Sequence, residues 1–240
     1  MAQNTDKILV IGGSGGIGEA LVRALLDRHP EADITATYFQ TQANLEHGRL
    51  RWVQLDVRDN AAIERLAAEF DRLDWLINCV GALHIGDAGP EKTITAVDSE
   101  FVKAILEINT LPTLMLARYF FVAMKKSPQP LFATISAKVG SIEDNKLGGW
   151  YSYRLSKAAL NMALKTLSIE WTRTHPNGCV VALHPGTNNT KLSKPFQANV
   201  PTQNLLEPSY TANMFLDILE NLNSSNSGQF LAWDGEELPW

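Results

Sequence analysis

The stretch Gly12-Gly13-Ser14-Gly15-Gly16-Ile17-Gly18 decides the fold of this 240-residue chain, because of what stands on either side of it. A short apolar run, residues 8–11, precedes the glycines, and a helical pattern of apolar residues follows them. Glycine at these positions lets the chain turn sharply, bring backbone N–H groups against a pyrophosphate and pack the next helix closely on the strand. The positive end of that helix favours bound phosphate. A flexible glycine loop is the alternative, but the strand–turn–helix order predicts a dinucleotide site. Its predicted residues are Gly12, Ser14, Gly16, Ile17 and Gly18.

Along the rest of the chain, short apolar runs rich in β-branched residues alternate with longer amphipathic stretches. Seven runs are predicted strands: residues 7–11, 33–38, 51–55, 75–80, 131–136, 180–184 and 229–233. Five stretches are predicted helices: residues 16–28, 61–72, 99–125, 153–174 and 208–221. This alternation predicts an α/β fold with a doubly wound parallel sheet of about seven strands and helices on both faces.

One domain over residues 1–240 is the expected organisation, since the length and a 45% hydrophobic content suit one sizeable core. Residues 191–206 lack clear periodicity and follow a strand at the expected ligand edge. Residues 224–228 form a polar loop. Long irregular loops in compact domains are often functional, so we predict a substrate lid near residues 187–206.

Charge and cysteine content narrow the class of partner. The formal net charge is -5 and no Lys/Arg cluster forms a stripe, so nucleic acid and anionic membranes have no electrostatic support as partners. Cys79 and Cys179 are the two cysteines, and their separation suits neither a disulfide framework nor a metal site. The apolar run at residues 8–11 is too short for a signal sequence or a membrane span. We expect a cytoplasmic protein that acts on a small molecule without a metal.

The end of the second predicted strand bears on the choice of cofactor. NAD-binding chains usually place Asp or Glu there, against the ribose 2'-hydroxyl. Here the residues are Thr37-Tyr38-Phe39-Gln40, so no carboxylate would repel a 2'-phosphate, and no Arg or Lys stands at the same spot to hold one. We predict that Tyr38 borders the cofactor and that NADP is preferred, with NAD as the alternative.

Several further motifs follow the glycine turn in a characteristic order: Asp56-Val57, Asn78-Cys79-Val80-Gly81, Asn109, Tyr153-Arg154-Leu155-Ser156-Lys157 and Pro185-Gly186. In order and spacing the chain resembles the short-chain dehydrogenase/reductase family over its whole length. Residues 140–142, 148–154 and 184–187 look most like the C-factor and carbonyl-reductase-like branch. The resemblance implies a Rossmann-type domain, hydride exchange between a nicotinamide and a carbonyl or alcohol, and a homodimer or homotetramer.

Tyr153 and Lys157 are the candidate catalytic pair. Their i, i+4 spacing places them on one face of a helix. A phenol with a pKa of about 10 is a poor acid or base at neutral pH unless a nearby cation stabilises the phenolate, and Lys157 can supply that cation. The resemblance implies that Lys157 also binds the nicotinamide ribose. The alternative is an exposed pair on a solvated helix, and Tyr151 is a rival phenol six residues from Lys157.

Asn109 lies in a predicted apolar helix, where a buried amide needs hydrogen-bond partners. The resemblance implies that it holds a water linked to the lysine; a core asparagine with a purely structural role is the alternative. Pro112 should disturb this helix and free backbone carbonyls.

The remaining cofactor residues come from the resemblance alone. It implies contacts with adenine, with the adenosine ribose and with the nicotinamide from these positions: Asp56, Val57, Asn78, Gly81, Pro185, Gly186 and Thr190. His184, which precedes the last group, is more often a packed residue than a catalyst in such a position.

One position departs from the family pattern. The family usually has a serine that orients the substrate carbonyl where this chain has Ala137. Ser136 is the candidate replacement, although successive strand residues point to opposite faces. We therefore expect an NAD(P)-dependent oxidoreductase that uses Tyr153, Lys157, Asn109 and Ser136. A dinucleotide-binding signalling or regulatory protein of C-factor type, with little or no turnover, is the alternative.

Overall fold

The computed structural model describes residues 6–240, so the first five residues of the predicted domain lie outside the described part. A seven-stranded parallel sheet forms its centre, in the order β3-β2-β1-β4-β5-β6-β9. The strands are β1 (Lys7–Ile11), β2 (Asp33–Tyr38), β3 (Leu50–Gln54), β4 (Trp75–Asn78), β5 (Leu131–Ile135), β6 (Cys179–His184) and β9 (Phe230–Ala232). A separate parallel pair consists of β7 (Thr187–Asn188) and β8 (Leu205–Leu206).

Six α-helices are present within residues 6–240: α1 (Gly16–Arg28), α2 (Asn60–Ala68), α3 (Ser99–Asn109), α4 (Leu111–Lys125), α5 (Tyr151–Thr174) and α6 (Pro208–Leu219). They cover the sheet on two sides, because each face carries its own apolar cluster. One cluster joins α2, α4 and α5 to the sheet around Phe120 and Leu160, and the other joins α1 and α6 around Leu25 and Phe215. The predicted doubly wound sheet with helices on both faces is confirmed.

The predicted helix over residues 99–125 is wrong as a single element. It ends at Asn109, and a second helix begins at Leu111, because Thr110 has φ −116° and Pro112 cannot donate a backbone hydrogen bond. By length and hydropathy the segment Ser99–Lys125 could cross a membrane. Core helices of globular proteins pass the same test, and here α3 and α4 pack against α5 and α2.

Most other element ends differ from the predictions by one or two residues. One end differs by more, and two predicted loops contain short elements. α2 ends at Ala68, four residues early, and the next two N–H groups, of Glu69 and Phe70, donate to carbonyl oxygens three positions back, those of Leu66 and Ala67. Residues 191–206 are not structureless: 3₁₀ turns occupy Lys194–Asn199 and Thr202–Asn204, and the β7–β8 pair closes the ends of the segment. The polar loop at residues 224–228 contains another 3₁₀ turn, Ser224–Asn226, capped by Asn223.

Parallel strands all end at the same edge of a sheet. β1 and β4 are neighbours, although the chain runs from β1 outward to β3 before it returns to β4. A crevice opens at such a reversal of strand order, outside the carboxyl ends of the strands. The glycine turn after β1, the loops after β4 and β5 and the start of α5 all meet at this edge.

Candidate active site

The glycine turn is shaped by two close approaches. Gly12 has φ +74°, and a Cβ there would lie 2.9 Å from Val80 Cγ2. A Cβ on Gly18 would lie 2.2 Å from the Gly12 carbonyl oxygen, so α1 can start only where residue 18 has no side chain. The Gly12 N–H donates to Thr37 Oγ1 at 2.9 Å, which ties the turn to β2. These contacts explain why glycine stands at both positions.

The first turn of α1 has the features of a phosphate cradle. Gly15 is its N-cap and has no side chain to cap the N–H groups of Gly16, Ile17 and Gly18. A Cβ on Gly16 would lie 2.6 Å from Thr190 Cγ2, so Thr190 packs directly over the turn. Ser14 is half-buried on the same loop. Uncapped N–H groups at a helix start are the groups that hold a dinucleotide pyrophosphate.

The loop after β3, where the sequence predicts adenine contacts, contains an ion pair that the sequence analysis missed. Arg58 donates from Nε and Nη2 to the two carboxylate oxygens of Asp56, at 2.9 and 2.6 Å. Hydrogen bonds from Arg58 hold the pKa of the Asp56 carboxyl below its usual range. Tyr38 is half-buried and edge-on to Trp52, whereas the Val57 side chain packs into the core. The sequence could have indicated this pair, because Arg58 stands two positions after Asp56, the predicted adenine ligand.

Tyr153 and Lys157 lie next to each other near the start of α5. Lys157 is 2% exposed, and its Nζ donates to the Ile135 carbonyl oxygen at 3.0 Å and lies 5.9 Å from the Tyr153 ring centroid. Burial lowers the pKa of Lys157 to about 8 and raises the pKa of the Tyr153 phenol to about 12. At neutral pH the structure therefore holds a protonated phenol beside a lysine that is still mainly charged. Tyr151, the rival phenol, is 40% exposed.

Two glycines allow Lys157 to occupy this place. A Cβ on Gly140 would lie 2.7 Å from the Lys157 carbonyl carbon and 2.8 Å from its Cβ. A Cβ on Gly81 would lie 3.4 Å from Lys157 Nζ. Gly140 therefore sets how closely α5 approaches the loop after β5, and Gly81 leaves space around the ammonium group.

Asn109 joins three parts of the site. Its Nδ2 donates to the Ala82 carbonyl oxygen at 2.9 Å and to Ser156 Oγ at 3.0 Å, and its Oδ1 accepts from the Ala82 N–H at 2.7 Å. Asn78 makes a similar tie, from its Nδ2 to Thr113 Oγ1 at 3.0 Å. The Asn109 amide thus holds the loop after β4 against α5 with partners from the protein itself.

Ser136 is not brought into this arrangement. The residue is 2% exposed, and its hydroxyl donates to Asn161 Oδ1 at 2.6 Å within the body of the fold. Ala137 is half-buried and extended, at φ −155°, so it faces away from Asn161. The next residue, Lys138, donates its N–H to His184 Nδ1 at 3.2 Å. Burial lowers the pKa of His184 to about 4, so this histidine is a neutral packing group.

Pro185 and Gly186 follow β6 at the carboxyl edge. The Pro185 carbonyl oxygen accepts from Asn188 Nδ2 at 2.6 Å, and Gly186 has φ +68°. A Cβ on Gly186 would lie 2.9 Å from Trp233 Cδ1. The turn is therefore packed against Trp233, the residue directly after β9, and leads into the segment that contains Thr190.

An aromatic cluster lies beside Tyr153. Phe196, in the predicted lid, stacks on His84 with ring centroids 5.1 Å apart and contacts Trp150 at 5.0 Å. Trp150 in turn meets Tyr153 at 6.1 Å. Trp150 has φ +55°, the one positive φ of a residue other than glycine within the described chain. The sequence did not predict this left-handed backbone at Trp150, which comes directly after two glycines that also have positive φ, Gly148 and Gly149.

Comparison with known proteins places this chain in a family. The family model for short chain dehydrogenases matches residues 6–201. The chain belongs to the short-chain dehydrogenase family.

Three relatives illustrate the match. The chain is 29% identical over 239 residues to 1-hydroxy-2-glutathionyl-2-methyl-3-butene dehydrogenase of Rhodococcus sp. (strain AD45), covering 98% of this chain and 100% of the relative. It is 32% identical over 169 residues to C-signal of Myxococcus xanthus, covering 70% of this chain and 93% of that protein. The structure of NADPH bound carbonyl reductase from chicken fatty liver is 27% identical, with a TM-score of 0.86 over 98% of this chain and 94% of that one.

Membership confirms the predicted enzyme class: this short-chain dehydrogenase is an oxidoreductase that uses a nicotinamide dinucleotide. The predicted likeness to carbonyl reductases and to C-factor is confirmed as well. Within residues 6–240 no three His, Cys, Asp or Glu side chains form a group suited to a metal ion.

Proposed function

We propose that this protein reduces a carbonyl to an alcohol, or runs the reverse oxidation, with Tyr153 as the general acid and base. The observation that carries the proposal is the buried Lys157 ammonium beside the Tyr153 phenol, at the sheet edge to which the glycine turn belongs. A nicotinamide dinucleotide, when bound, supplies or accepts the hydride. The protein supplies orientation and the proton.

In reduction, the carbonyl carbon gains the hydride and the carbonyl oxygen takes the proton from the Tyr153 hydroxyl. The phenolate that remains is stabilised by the Lys157 ammonium, whose charge costs less to keep when an anion lies beside it. A proton from solvent then restores the phenol. The reverse sequence oxidises an alcohol, with the Tyr153 phenolate as the base.

The other predicted residues have supporting roles in this proposal. The glycine turn would hold the pyrophosphate through Gly12, Ser14, Gly16, Ile17 and Gly18. The adenosine would be bordered by Asp56, Val57, Tyr38, Asn78 and Gly81. Lys157, Pro185, Gly186 and Thr190 would border the nicotinamide riboside. Asn109 would hold the loop after β4 beside α5, next to Lys157. A water near the break between α3 and α4 would link the lysine to solvent. Ser136 has no role in this proposal, because its hydroxyl is used by Asn161.

The segment near residues 187–206 is proposed as the substrate lid. Phe196 stacks on His84 and contacts Trp150, and Trp150 meets Tyr153. These rings would form an aromatic wall beside the phenol and would limit the access of water to the proton transfer. A substrate with an apolar group next to its carbonyl would suit this wall.

We also propose a homodimer or homotetramer in the cytoplasm. Exposed apolar side chains lie on α4 and on α5: Leu111, Leu114, Val122, Leu155, Met162 and Ile169. A two-fold axis beside these helices would bury them against a second copy. Light scattering of the purified protein measures the assembly.

A test of the proposed reaction is consumption of NADPH and NADH with a panel of aldehydes, ketones and quinones. We expect Tyr153→Phe to lower turnover by about 10²–10⁴-fold with cofactor affinity retained, since it removes only the transferable proton. The matched control is Tyr151→Phe, which removes an exposed phenol two residues away and should keep its turnover. An equally active Tyr153→Phe variant would contradict the assignment.

A dinucleotide-binding signalling protein with little turnover is the second candidate. Two observations favour it: the similarity to C-signal of Myxococcus xanthus, and Ala137 at the position where the family usually has a serine. Tight cofactor binding without turnover of any panel member would support this candidate over the first.

A further inference from the structure

The adenosine end of the proposed cofactor site has a positive charge that the glycine turn and β2 do not supply. β2 ends at Tyr38 and is followed by the uncharged Phe39 and Gln40. Arg58, in the loop after the neighbouring strand β3, reaches the same place: its guanidinium carbon lies 5.6 Å from the centre of the Phe39 ring. A cation thus lies beside the end of β2, although the two residues directly after the strand are uncharged.

Asp56 fixes the orientation of Arg58. Besides the two side-chain bonds, the backbone N–H of Arg58 donates to Asp56 Oδ1 at 3.0 Å. A guanidinium has five N–H donors, and this fork uses two of them. Nη1 makes no hydrogen bond to the described residues, and the side chain is 42% exposed. The guanidinium is therefore held in place with donors left for a ligand.

Two carboxylates lie near this guanidinium, and one of them is paired with it. The Asp56 carboxylate would repel an anion if it were unpaired, but Arg58 neutralises it at contact distance. Glu107 on α3 is the other carboxylate whose charge reaches Arg58, without a hydrogen bond between them. Arginine binds phosphate through several directed N–H groups, and a guanidinium that is already oriented loses less entropy on binding.

We infer that Arg58 binds the 2'-phosphate of the dinucleotide and gives this site its preference for NADP(H) over NAD(H). The inference rests on the proposed function, because it concerns the same cofactor. It differs from the sequence-based expectation, which found no basic residue at the end of β2. The competing interpretation is a surface ion pair that only shields Asp56, in which case both cofactors depend on Arg58 equally.

The experiment is a binding titration of the purified full chain, without turnover, using NADPH, NADH, 2',5'-ADP and 5'-AMP. The variants are Arg58→Ala, Arg58→Lys and the control Arg65→Ala. Arg65 is 70% exposed on α2 and lies 3.7 Å from Asp59, so its removal makes the same change in net charge nearby. A double variant, Arg58→Ala with Asp56→Asn, separates loss of the cation from exposure of the carboxylate.

We expect the parent to bind NADPH more tightly than NADH, and 2',5'-ADP more tightly than 5'-AMP. Arg58→Ala should weaken the two 2'-phosphorylated ligands by about 10–100-fold, the effect of losing charged hydrogen bonds, and leave NADH and 5'-AMP within about threefold. Arg58→Lys should lie between the two, Arg65→Ala should match the parent, and the double variant should keep most of the loss of NADPH affinity.

Equal loss of all four ligands in Arg58→Ala, unchanged affinities, or recovery of NADPH binding in the double variant would each overturn the assignment. A parent that binds NADH more tightly than NADPH would overturn it as well, while leaving the proposed oxidoreductase activity in place. A parent that binds neither dinucleotide would remove the proposed function itself, and the role of Arg58 with it.

Discussion

The carboxylate of Glu91 caps the first turn of α5 through Ser152, the residue directly before Tyr153. One Glu91 oxygen accepts from the Ser152 N–H at 3.0 Å and the other accepts from the Ser152 hydroxyl. Glu91 is 6% exposed, and within residues 6–240 no cation forms an ion pair with it. The positive end of α5 therefore stabilises this buried charge, and the charge in turn anchors the helix that contains Tyr153 and Lys157.

Replacing Glu91 tests this anchor. Glu91→Ala leaves the buried N–H and hydroxyl of Ser152 without acceptors, so we expect the free energy of unfolding to fall by about 1–3 kcal/mol. Glu91→Gln keeps one acceptor and removes the charge, and should cost about 1 kcal/mol, in the range of helix-end charge effects. Urea denaturation measures both. Two variants as stable as the parent would show that the cap does not hold α5.

Gly140 is predicted to be required for the position of Lys157. The methyl group of Gly140→Ala would lie 2.7–2.9 Å from Lys157 backbone and Cβ atoms, so α5 must shift. We expect a loss of about 1–3 kcal/mol in stability together with lower turnover. Gly48→Ala is the control, because a Cβ there meets nothing within 4 Å, and its stability should stay within about 1 kcal/mol of the parent. Equal behaviour of the two variants would contradict the prediction.

The buried Lys157 should leave a signature in the pH dependence of stability. Its pKa is lowered from 10.5 to about 8, so between these values the unfolded chain binds more protons at this residue than the folded chain does. Its contribution to the free energy of unfolding must then rise with pH across this window, by at most about 1.4 kcal/mol per pH unit. Tyr153, Cys79 and Cys179 have raised pKa values and act in the opposite direction at high pH.

A comparison with Lys157→Met isolates the lysine, because the other groups titrate in both proteins. Methionine is uncharged and similar in length, so the variant should gain stability relative to the parent near neutral pH. That advantage should shrink between about pH 8 and about pH 10, as the parent's lysine loses its proton. Urea unfolding of both proteins at three pH values measures it, and a constant difference would argue against the lowered pKa.

Ser136 and Ala137 should respond in opposite ways to substitution. Ser136→Ala leaves Asn161 Oδ1 without its buried donor, so we expect a loss of about 1–3 kcal/mol in stability with little change in turnover. Ala137→Ser adds a hydroxyl on the opposite face of the chain and should raise kcat/KM by about tenfold, the worth of one hydrogen bond to the substrate oxygen. A turnover loss confined to Ser136→Ala would restore Ser136 as the substrate-orienting group.

The sequence predicted the strands, the helices and the glycine turn, because these depend on local backbone conformation and on the spacing of apolar residues. Strands and helices alternate with different hydrophobic periods, and glycine spacing reports a backbone that must turn and approach closely. The seven central strands and the glycine turn were therefore predicted with small boundary errors. The i, i+4 spacing likewise placed Tyr153 and Lys157 on one helical face before any packing was known.

Tertiary structure decided the contacts between segments far apart in the chain. Asp56 with Arg58 could be suspected from their spacing, but only the fold brings Arg58 to Phe39 at the end of β2. Glu91 reaches Ser152 across 61 residues, and Ser136 is used by Asn161. Burial in that same packing shifts the pKa values of Tyr153 and Lys157, because desolvation depends on neighbours that their spacing in the sequence does not specify.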